Sequence, residues 1–469
     1  MRLSRKKALV VGLGNTGVAL TKFLIAKGAR VVISDRQPVS ALKGQIRRLK
    51  DIDFKLQCGG HYLKTFLGAD LIVLSPGVPP SLTPIEAART SGIPVLSELD
   101  LASHFVKTPI IAITGTNGKT TTTTLIGKVL KANGFRVWVG GNLGRSIIDA
   151  ASLDNLDYIV AEVSSFQLEI TEKFHPYIGL LLNVSKDHLD RHGNLSQYLH
   201  CKSRLFGVQT ENDWAILDND NPDIASIPTL GRKLFFSDKK ELSPGAYLRD
   251  GHIFACLNSL RWQLNIESLR LLGKHNYKNI MAVLLVAQII GCEFNATEKT
   301  IYNFKGLPHR LEWIKAINGI DFYNDSKGTN VGATIAALES LNPPIILIAG
   351  GLSKGQKFEP LREIVRKKVK ATILVGEAKE AIAQALDGAT FIIKVSSLKE
   401  AVLKAMDWAE NRGNVLFSPA CASFDMFRDY KERGLVFKKI VNELDKSKMP
   451  NQAQKSRFWH LGLNRRVFF

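Results

Sequence analysis

Residues 113–120, with the sequence ITGTNGKT, form a glycine-rich turn between an apolar run and a helical pattern. A turn in this position directs its backbone N–H groups and the N-terminus of the helix at a phosphate chain. Lys119 would reach the terminal phosphates of a nucleotide, and the Thr120 hydroxyl would bind Mg²⁺. Ile113 occupies the position of the first glycine in the strict P-loop pattern, so an ordinary strand–helix turn is the alternative. We predict a P-loop-type mononucleotide-binding ATPase domain.

A second glycine-rich turn, residues 12–17 (GLGNTG), also follows a short apolar run, and Asp35 ends the next one. This pattern is typical of dinucleotide-binding folds, in which the acidic residue binds a ribose. On its own it indicates only that a phosphate can bind at a helix N-terminus, and a tight turn without a ligand stays open. An NAD-dependent dehydrogenase would also fit, but it would leave residues 113–120 without a role.

Apolar strand runs alternate with helical patterns along most of the chain, which predicts parallel sheets. A helix at residues 16–27 is ended by Gly28, and the runs at 345–349, 372–375 and 415–417 are predicted strands. A chain of 469 residues should hold about three domains. We predict an α/β fold of three domains and a loosely ordered basic-aromatic tail: a Rossmann-like domain at 1–97, the P-loop domain at 98–306, a C-terminal Rossmann-like domain at 307–447, and the tail at 448–469.

The formal net charge of +20 limits the classes of partner. A basic chain can bind nucleic acid, an anionic membrane surface or phosphorylated small molecules. The lysines and arginines are spread along the chain, so we favour phosphorylated small molecules over nucleic acid. The five cysteines form no CxxC pair, and no apolar run reaches the ~18 residues of a membrane span. We therefore expect a cytoplasmic protein without stable membrane insertion, and we expect a monomer.

Polar clusters follow several predicted strands. Glu162 lies within the run 158–163, and His188 lies just after the run 177–184. An acidic side chain at a strand tip of a P-loop domain is a natural Mg²⁺ ligand, which His188 could share, although a lone histidine is often only a surface or core residue. Three more polar loops, residues 324–330, 350–354 and 418–423, come after strands of the last region and indicate a binding edge there.

Ten motifs in a fixed order resemble those of the Mur ligase family over about residues 6–447. They are GLGNTG, SPGV, GTNGKT, GGNLG, SSFQLE, NVSKDHLDRH, GKHNYKN, GLPHRLE, NDSKGTN and SPACASFD. SSFQLE, GLPHR and SPACASFD resemble the members that add D-glutamate. The resemblance implies a ligase of peptidoglycan precursor synthesis, which uses ATP to phosphorylate the alanyl carboxylate of UDP-N-acetylmuramoyl-L-alanine. The amine of D-glutamate then attacks the acyl phosphate. A sister ligase with another amino acid is the nearest alternative, and a P-loop module stimulated by nucleic acid is a more distant one.

The resemblance also implies roles for individual residues. Two Mg²⁺ sites are expected, with Thr120 and Glu162 at the first, and with His188 and a carbamylated Lys202 at the second. The expected catalytic residues are Lys119, Glu162, His188 and Lys202. The expected ATP contacts are Gly115, Thr116, Asn117, Gly118, Lys119, Thr120, Thr121, Asn276, Asn279, Arg310, Asp325 and Lys327. The expected contacts to the UDP substrate are Gly14, Asn15, Thr16, Asp35, Arg36, Ser75 and Asn142. The expected D-glutamate contacts are Thr329, Lys354, Ser423, Phe424 and Tyr430.

Overall fold

The computed structural model describes residues 1–142, 144–271, 273–353, 355–409 and 412–444. The chain divides into two compact units, Met1–Gly306 and Leu307–Phe469. The first unit contains two sheets and the second contains one, and helices alternate with the strands in all three. The predicted α/β fold class is thereby confirmed. The predicted tail at 448–469 and the predicted ligand Lys354 lie outside the described residues.

No helix of the described residues is long and apolar enough to cross a membrane.

The first sheet has five parallel strands in the order β3-β2-β1-β4-β5. Its strands are β1 (Lys7–Val11), β2 (Arg30–Asp35), β3 (Lys55–Cys58), β4 (Leu71–Leu74) and β5 (Val95–Ser97). Its helices are α1 (Asn15–Ala26), α2 (Lys43–Arg47), α3 (Leu63–Leu67), α4 (Thr83–Thr90) and α5 (Glu98–Ser103). The predicted helix at 16–27 is confirmed within one residue, and Gly28 follows it at φ +82°. Such a backbone conformation suits glycine and ends the helix.

The second sheet has nine strands in the order β14-β13-β12-β11-β10-β9-β6-β8-β7. Its strands are β6 (Ile110–Thr114), β7 (Val137–Gly141), β8 (Tyr158–Glu162), β9 (Ile178–Leu181), β10 (Trp214–Asp218), β11 (Arg232–Ser237), β12 (Gly245–Arg249), β13 (His252–Leu257) and β14 (Leu260–Asn265). Its helices are α6 (Lys119–Ala132), α7 (Ser165–Leu168), α8 (Leu189–His192), α9 (Leu195–Ser203), α10 (Pro222–Ala225), α11 (Lys274–Ile290) and α12 (Phe294–Asn303).

The sheet is parallel from β7 to β12, but β12, β13 and β14 are antiparallel, so the prediction of parallel sheets was wrong for this end of the sheet. The dipeptide Asp250-Gly251, which joins β12 to β13, is a sequence signal for a β-hairpin turn. Both of its residues have positive φ in the structure, as such a turn requires.

The third sheet has six strands in the order β15-β16-β20-β17-β18-β19, and only β15 is antiparallel to its neighbour. Its strands are β15 (Glu312–Ile317), β16 (Ile320–Asn324), β17 (Ile345–Ala349), β18 (Val369–Leu374), β19 (Phe391–Lys394) and β20 (Gly413–Phe417). Its helices are α13 (Val331–Glu339), α14 (Arg362–Lys368), α15 (Lys379–Ala385), α16 (Leu398–Ala409) and α17 (Tyr430–Leu444). The strand predicted at 345–349 is confirmed at both ends, and β18 begins earlier than its predicted start at 372.

The strand register determines which polar residues meet in the second sheet. β6 lies between β8 and β9, with Ile113 opposite Glu162 and Thr114 opposite Leu181. All three strands are parallel, so their carboxyl ends open onto the same edge of the sheet. That edge receives the glycine-rich turn, the end of β8 and the segment that follows β9.

Candidate active site

The glycine-rich turn after β6 is held in place by Asn183, which lies just beyond β9. The Asn183 carbonyl accepts a hydrogen bond from the Thr116 N–H at 3.0 Å, and its side-chain oxygen accepts one from the Asn117 N–H at 2.9 Å. The Asn183 side-chain amide donates to the Asn117 carbonyl at 3.1 Å. Asn183 was not among the predicted site residues, although its position just after a strand was an available signal.

Gly118 joins this turn to α6 and also faces the start of α11. It has φ +83°, and a Cβ added there would overlap the side-chain oxygen of Asn279. Asn279 in turn donates to the side-chain oxygen of Asn276 at 3.0 Å. The fold therefore brings together the turn and the two asparagines that were predicted to contact ATP.

Two lysines contact the carbonyl side of the turn. Lys119 Nζ donates to the carbonyls of Gly115 at 2.8 Å and Thr116 at 2.9 Å. Lys202 Nζ, from α9, donates to the Gly115 carbonyl at 2.9 Å and lies 4.4 Å from the ring centroid of Tyr198. Lys202 is only 1% exposed, and its pKa lies well below the ordinary value because of burial and then the neighbouring charge of Lys119. Two of the residues predicted to be catalytic, Lys119 and Lys202, thus donate to the same carbonyl of the turn.

Glu162, the last residue of β8, is a buried carboxylate with spare capacity to bind a ligand. Its Oε1 accepts a hydrogen bond from Asn142 Nδ2 at 2.9 Å, whereas its Oε2 has no hydrogen-bond partner among the described residues. A Cβ added at Gly141 would overlap the Glu162 carbonyl oxygen, so the approach of these segments requires glycine. A buried carboxylate oxygen without a hydrogen-bond partner, at the sheet edge that carries the glycine-rich turn, fits a Mg²⁺ ligand.

Within the described ranges, no group of three or more His, Cys, Asp or Glu residues could hold a metal by itself. Mg²⁺ commonly takes one or two carboxylates together with substrate phosphates and waters. The predicted Mg²⁺ ligands agree with this, because they include one carboxylate, a hydroxyl and a modified lysine rather than a cluster of acidic residues.

His188 is held against α7 by an aromatic contact. Its ring packs edge-on to Phe166 with 5.0 Å between centroids, and its Nε2 lies 3.6 Å from Asp187 Oδ2. Phe166 also stacks on His192 at 5.5 Å. His188 has φ +53°, a conformation uncommon for residues other than glycine and typical of functional loops.

The turn after β1 is closely packed on one side and open at Gly14. A Cβ added at Gly17 would overlap the Gly12 carbonyl oxygen, whereas no atom lies within 4 Å of one added at Gly14. The turn is therefore closely packed between Gly12 and Gly17 and open at Gly14. Ser75 donates its hydroxyl to the Gly12 carbonyl at 2.8 Å, so the predicted contact Ser75 also supports the turn.

Asp35 lies directly beneath this turn. Its Oδ2 accepts a hydrogen bond from the Leu13 N–H at 2.6 Å, and its Oδ1 accepts one from the Gln37 N–H at 2.8 Å. Both Asp35 carboxylate oxygens therefore accept hydrogen bonds from backbone N–H groups and stabilise this turn. This role is separate from the ribose contact that the sequence predicts.

In the second unit, predicted ATP contacts surround the loop after β16. Asp325 is buried and accepts hydrogen bonds from the Ser418 hydroxyl at 2.7 Å and from the Leu311 N–H at 3.2 Å. Burial raises the pKa of this carboxyl to about 7. Lys327 Nζ lies 4.1 Å from the ring centroid of Tyr430, so a predicted phosphate contact touches a predicted D-glutamate contact.

The residues predicted to bind D-glutamate differ in exposure. Ser423 is 2% exposed and Phe424 is 65% exposed, while Thr329 and Tyr430 are half-buried. These four residues occupy loops at one end of the third sheet and the start of α17.

Three family models match the chain in succession. The Mur ligase MurD-like N-terminal domain matches residues 6–97, the Mur ligase middle domain matches 113–287, and the Mur ligase glutamate ligase domain matches 309–421. This chain belongs to the Mur ligase family.

Curated relatives support the assignment over nearly the whole length of this Mur ligase. The UDP-N-acetylmuramoylalanine--D-glutamate ligase of Geotalea uraniireducens is 44% identical over 453 residues, which cover 95% of this chain and 99% of the relative. The enzyme of the same name from Citrifermentans bemidjiense is 45% identical over 444 residues, covering 94% and 98% respectively.

Solved structures share the fold at low identity. A pseudomurein peptide ligase type C from Methanothermus fervidus is 20% identical with a TM-score of 0.60, over 94% of this chain and all (100%) of that one. A MurF ligase from Thermotoga maritima in complex with ADP is 17% identical with a TM-score of 0.59, over 94% and 99%.

The candidate site residues of this Mur ligase are divided between its two units. The glycine-rich turn, Glu162, Lys202, Asn276 and Asn279 lie in Met1–Gly306, and Arg310, Asp325, Lys327 and Ser423 lie in Leu307–Phe469. Within the described residues of the first unit, the N-terminus of α6, the Lys119 ammonium and the unpaired Glu162 oxygen offer groups of the kind that a nucleoside triphosphate and its metal require.

Proposed function

We propose that this Mur ligase uses ATP to join D-glutamate to UDP-N-acetylmuramoyl-L-alanine during synthesis of peptidoglycan precursors. The relatives that bear this activity in their names are 44% and 45% identical to it over nearly their whole lengths. The observation that carries the chemistry is the buried Glu162 oxygen without a partner at the sheet edge that also bears the phosphate-binding turn.

The reaction proceeds through an acyl phosphate. An oxygen of the alanyl carboxylate attacks the γ-phosphorus of ATP, and ADP leaves. The D-glutamate amine then attacks the acyl carbon and loses a proton, and the tetrahedral intermediate collapses to the amide and phosphate. Negative charge accumulates in both steps, so cations and N–H donors fixed in advance are required.

Lys119 and the N-terminus of α6 supply that charge stabilisation. In our proposal Lys119 Nζ exchanges the Gly115 and Thr116 carbonyls for phosphate oxygens. The Asn183 hydrogen bonds engage the N–H groups of Thr116 and Asn117 and so hold the backbone of the turn in a fixed geometry. This rigidity lets the turn act on the developing charge without reorganisation.

Thr120 and Glu162 would hold the first Mg²⁺, and His188 and Lys202 would hold the second. When bound, the cations neutralise charge on the transferring phosphoryl group. We propose that Lys202 acts in this set as a carbamate. Its Nζ is buried, contacts the Gly115 carbonyl, and forms no ion pair with a carboxylate among the described residues. Carbamylation converts this cation into an anion with oxygen donors, which Mg²⁺ prefers.

We infer a division of substrates among the predicted domains. The UDP substrate binds residues 1–97 and also contacts Asn142 of the next domain. Its contacts within residues 1–97 are Gly14, Asn15, Thr16, Asp35, Arg36 and Ser75. ATP binds residues 98–306 together with Arg310, Asp325 and Lys327. D-Glutamate binds residues 307–447 through Thr329, Lys354, Ser423, Phe424 and Tyr430. We further propose that the enzyme acts as a cytoplasmic monomer on these small molecules.

The test is phosphate release with each component omitted in turn. We expect turnover only when UDP-N-acetylmuramoyl-L-alanine, ATP, Mg²⁺ and D-glutamate are all present. L-Glutamate, L-alanine and a diamino acid serve as matched controls, because each carries the reacting amine. Equal turnover with any of these three would refute D-glutamate specificity and would favour a sister ligase.

A further inference from the structure

Arg433 of α17 is a fully buried cation that contacts two loops of the candidate site. It is 2% exposed, and its Nε donates to the Ser326 hydroxyl at 3.1 Å. One terminal nitrogen donates to the Ser326 carbonyl at 2.9 Å and to the Cys421 carbonyl at 3.1 Å. The other donates to the Ala422 carbonyl at 3.0 Å. The guanidinium thus joins the loop after β16 to the loop after β20.

Arg433 has no carboxylate partner in an ion pair within the described part of the chain. Burial lowers its pKa to about 10, and the charges of Asp425 and Asp325 only partly offset this effect. Burial of a cation is costly, and apolar side chains of similar volume often stabilise a protein as well or better. The apolar residues Phe437 and Val441 of the same helix are also fully buried, so an apolar side chain would suit the packing alone.

The space around the guanidinium is closely filled. A Cβ added at Gly351 would come within 3.1 Å of an Arg433 terminal nitrogen and would overlap the Ala422 carbonyl oxygen. The Arg433 Cζ also lies 5.9 Å from the ring centroid of Phe417. The planar guanidinium of arginine fills this space and donates hydrogen bonds to carbonyls of both loops. A lysine ammonium cannot make the same hydrogen bonds in this geometry.

The two loops carry residues that are predicted to contact different substrates, ATP and D-glutamate. Lys327 and Thr329 follow Ser326, and Ser423 follows Ala422 directly. The Ser326 hydroxyl also donates to the Tyr430 carbonyl at 2.8 Å. A change in the guanidinium contacts would therefore alter the distance between a phosphate contact and the amino-acid contacts.

We propose that Arg433 is a positioning residue that fixes the loop of Lys327 and Thr329 against the loop of Ser423 and so determines the affinity for D-glutamate. The inference rests on the proposed function, which assigns those residues to the substrates. Arg433 itself contacts protein atoms and acts through the two loops.

Steady-state kinetics of Arg433→Lys and Arg433→Ala test the proposal, with Lys439→Ala as the matched control. Lys439 is an exposed cation of the same helix, 3.9 Å from Glu443. We expect both Arg433 variants to raise KM for D-glutamate by about tenfold or more, since each loses hydrogen bonds from a charged donor. Affinity for UDP-N-acetylmuramoyl-L-alanine, measured by calorimetry, should stay unchanged. Millimolar guanidinium should partly restore KM in Arg433→Ala, because it refills the vacated space.

Thermal unfolding of each variant separates positioning from a purely structural role. An Arg433→Lys protein that is folded, has wild-type KM for D-glutamate and differs only in melting temperature would overturn the proposal. Failure of guanidinium to change KM in a folded Arg433→Ala protein would also count against it. Failure of the proposed function is distinguishable, since the wild-type enzyme would then form no product with D-glutamate.

Discussion

At the scale of single residues, the surroundings of the Asp325 carboxyl in the second unit change its acidity. The side chain is buried among the Ser418 hydroxyl, the Leu311 N–H and the loop that carries Lys327. These hydrogen bonds favour the ionised form, but burial outweighs them and raises the pKa to about 7. Near neutral pH a substantial fraction of this carboxyl is therefore protonated before ligands bind.

Because ionisation of Asp325 is less favourable in the folded protein, raising the pH from the ordinary carboxyl pKa of ~3.9 towards 7 should lower the free energy of unfolding. Asp325→Asn should remove this contribution, so that the variant loses less stability than the wild type between pH 5 and pH 7. Urea denaturation at several pH values measures the free energy of unfolding of each protein. Asp407→Asn is the control, because Asp407 is an exposed residue of α16. Equal pH slopes for wild type and Asp325→Asn would contradict the raised pKa.

At the scale of elements, helix α6 has a positive-φ glycine at each end, in different surroundings. Gly118 at its start has φ +83° and faces Asn279, whereas Gly134 just beyond its end has φ +88° and no atom within 4 Å of an added Cβ. The two positions separate the cost of backbone strain from the cost of displacing a neighbour.

We expect alanine at either glycine to cost about 1–2 kcal/mol in the free energy of unfolding, because L-residues disfavour this conformation. Only Gly118→Ala should also raise KM for ATP, since its Cβ displaces Asn279 from the phosphate-binding turn. Thermal unfolding and ATP kinetics of the two variants, measured side by side, check this. If both variants kept wild-type KM for ATP, the contact between Asn279 and the turn would have no role in ATP binding.

The lengths of some elements depend on contacts that a local pattern does not contain. The strand predicted at 177–184 was wrong in length, because β9 ends at Leu181. Beyond it the chain leaves the sheet, and the carbonyl and side chain of Asn183 bind the turn after β6. Leu182 and Val184 are apolar, but Asn183 between them hydrogen-bonds to a loop from elsewhere in the chain, and the strand ends before it.

At the scale of the whole molecule, the candidate residues fall into two compact units, and neither contains the complete predicted set. The turns after β1 and β6 lie within Met1–Gly306, together with Glu162 and Lys202. Substrate binding should therefore be separable from product formation.

A fragment of residues 1–306 should fold and should be stabilised by UDP-N-acetylmuramoyl-L-alanine and by MgATP, each added alone. It should form no amide, because Lys327 and Ser423 belong to the other unit. Circular dichroism and thermal-shift titrations measure folding and binding, and the full chain is the control. An unfolded fragment, or a folded one that neither ligand stabilises, would contradict this division.

Much of the site was predictable from sequence, because its turns are encoded locally. Glycine at positions 14 and 118 and lysine at 119 follow apolar runs, and this pattern is sufficient to predict a strand, a phosphate-binding turn and a helix. The α/β fold class follows from the same alternation of strand and helix. His188 was a candidate Mg²⁺ ligand because it follows a predicted strand, whereas the role assigned to Lys202 depended on resemblance to the family, since Lys202 has no local signature.

Only the tertiary structure brought together the residue pairs that are distant in sequence. Asn183 lies 66 residues from Asn117, Asn142 lies 20 residues from Glu162, and Arg433 lies 107 residues from Ser326. The first two pairs meet because β6 lies between β8 and β9 and because Gly141 allows close approach, which is a matter of strand order and register. The third forms because α17 buries a charged side chain beneath two loops of the third sheet. A local sequence pattern determines backbone conformation, whereas hydrogen bonds between distant segments depend on how complete sheets and helices pack.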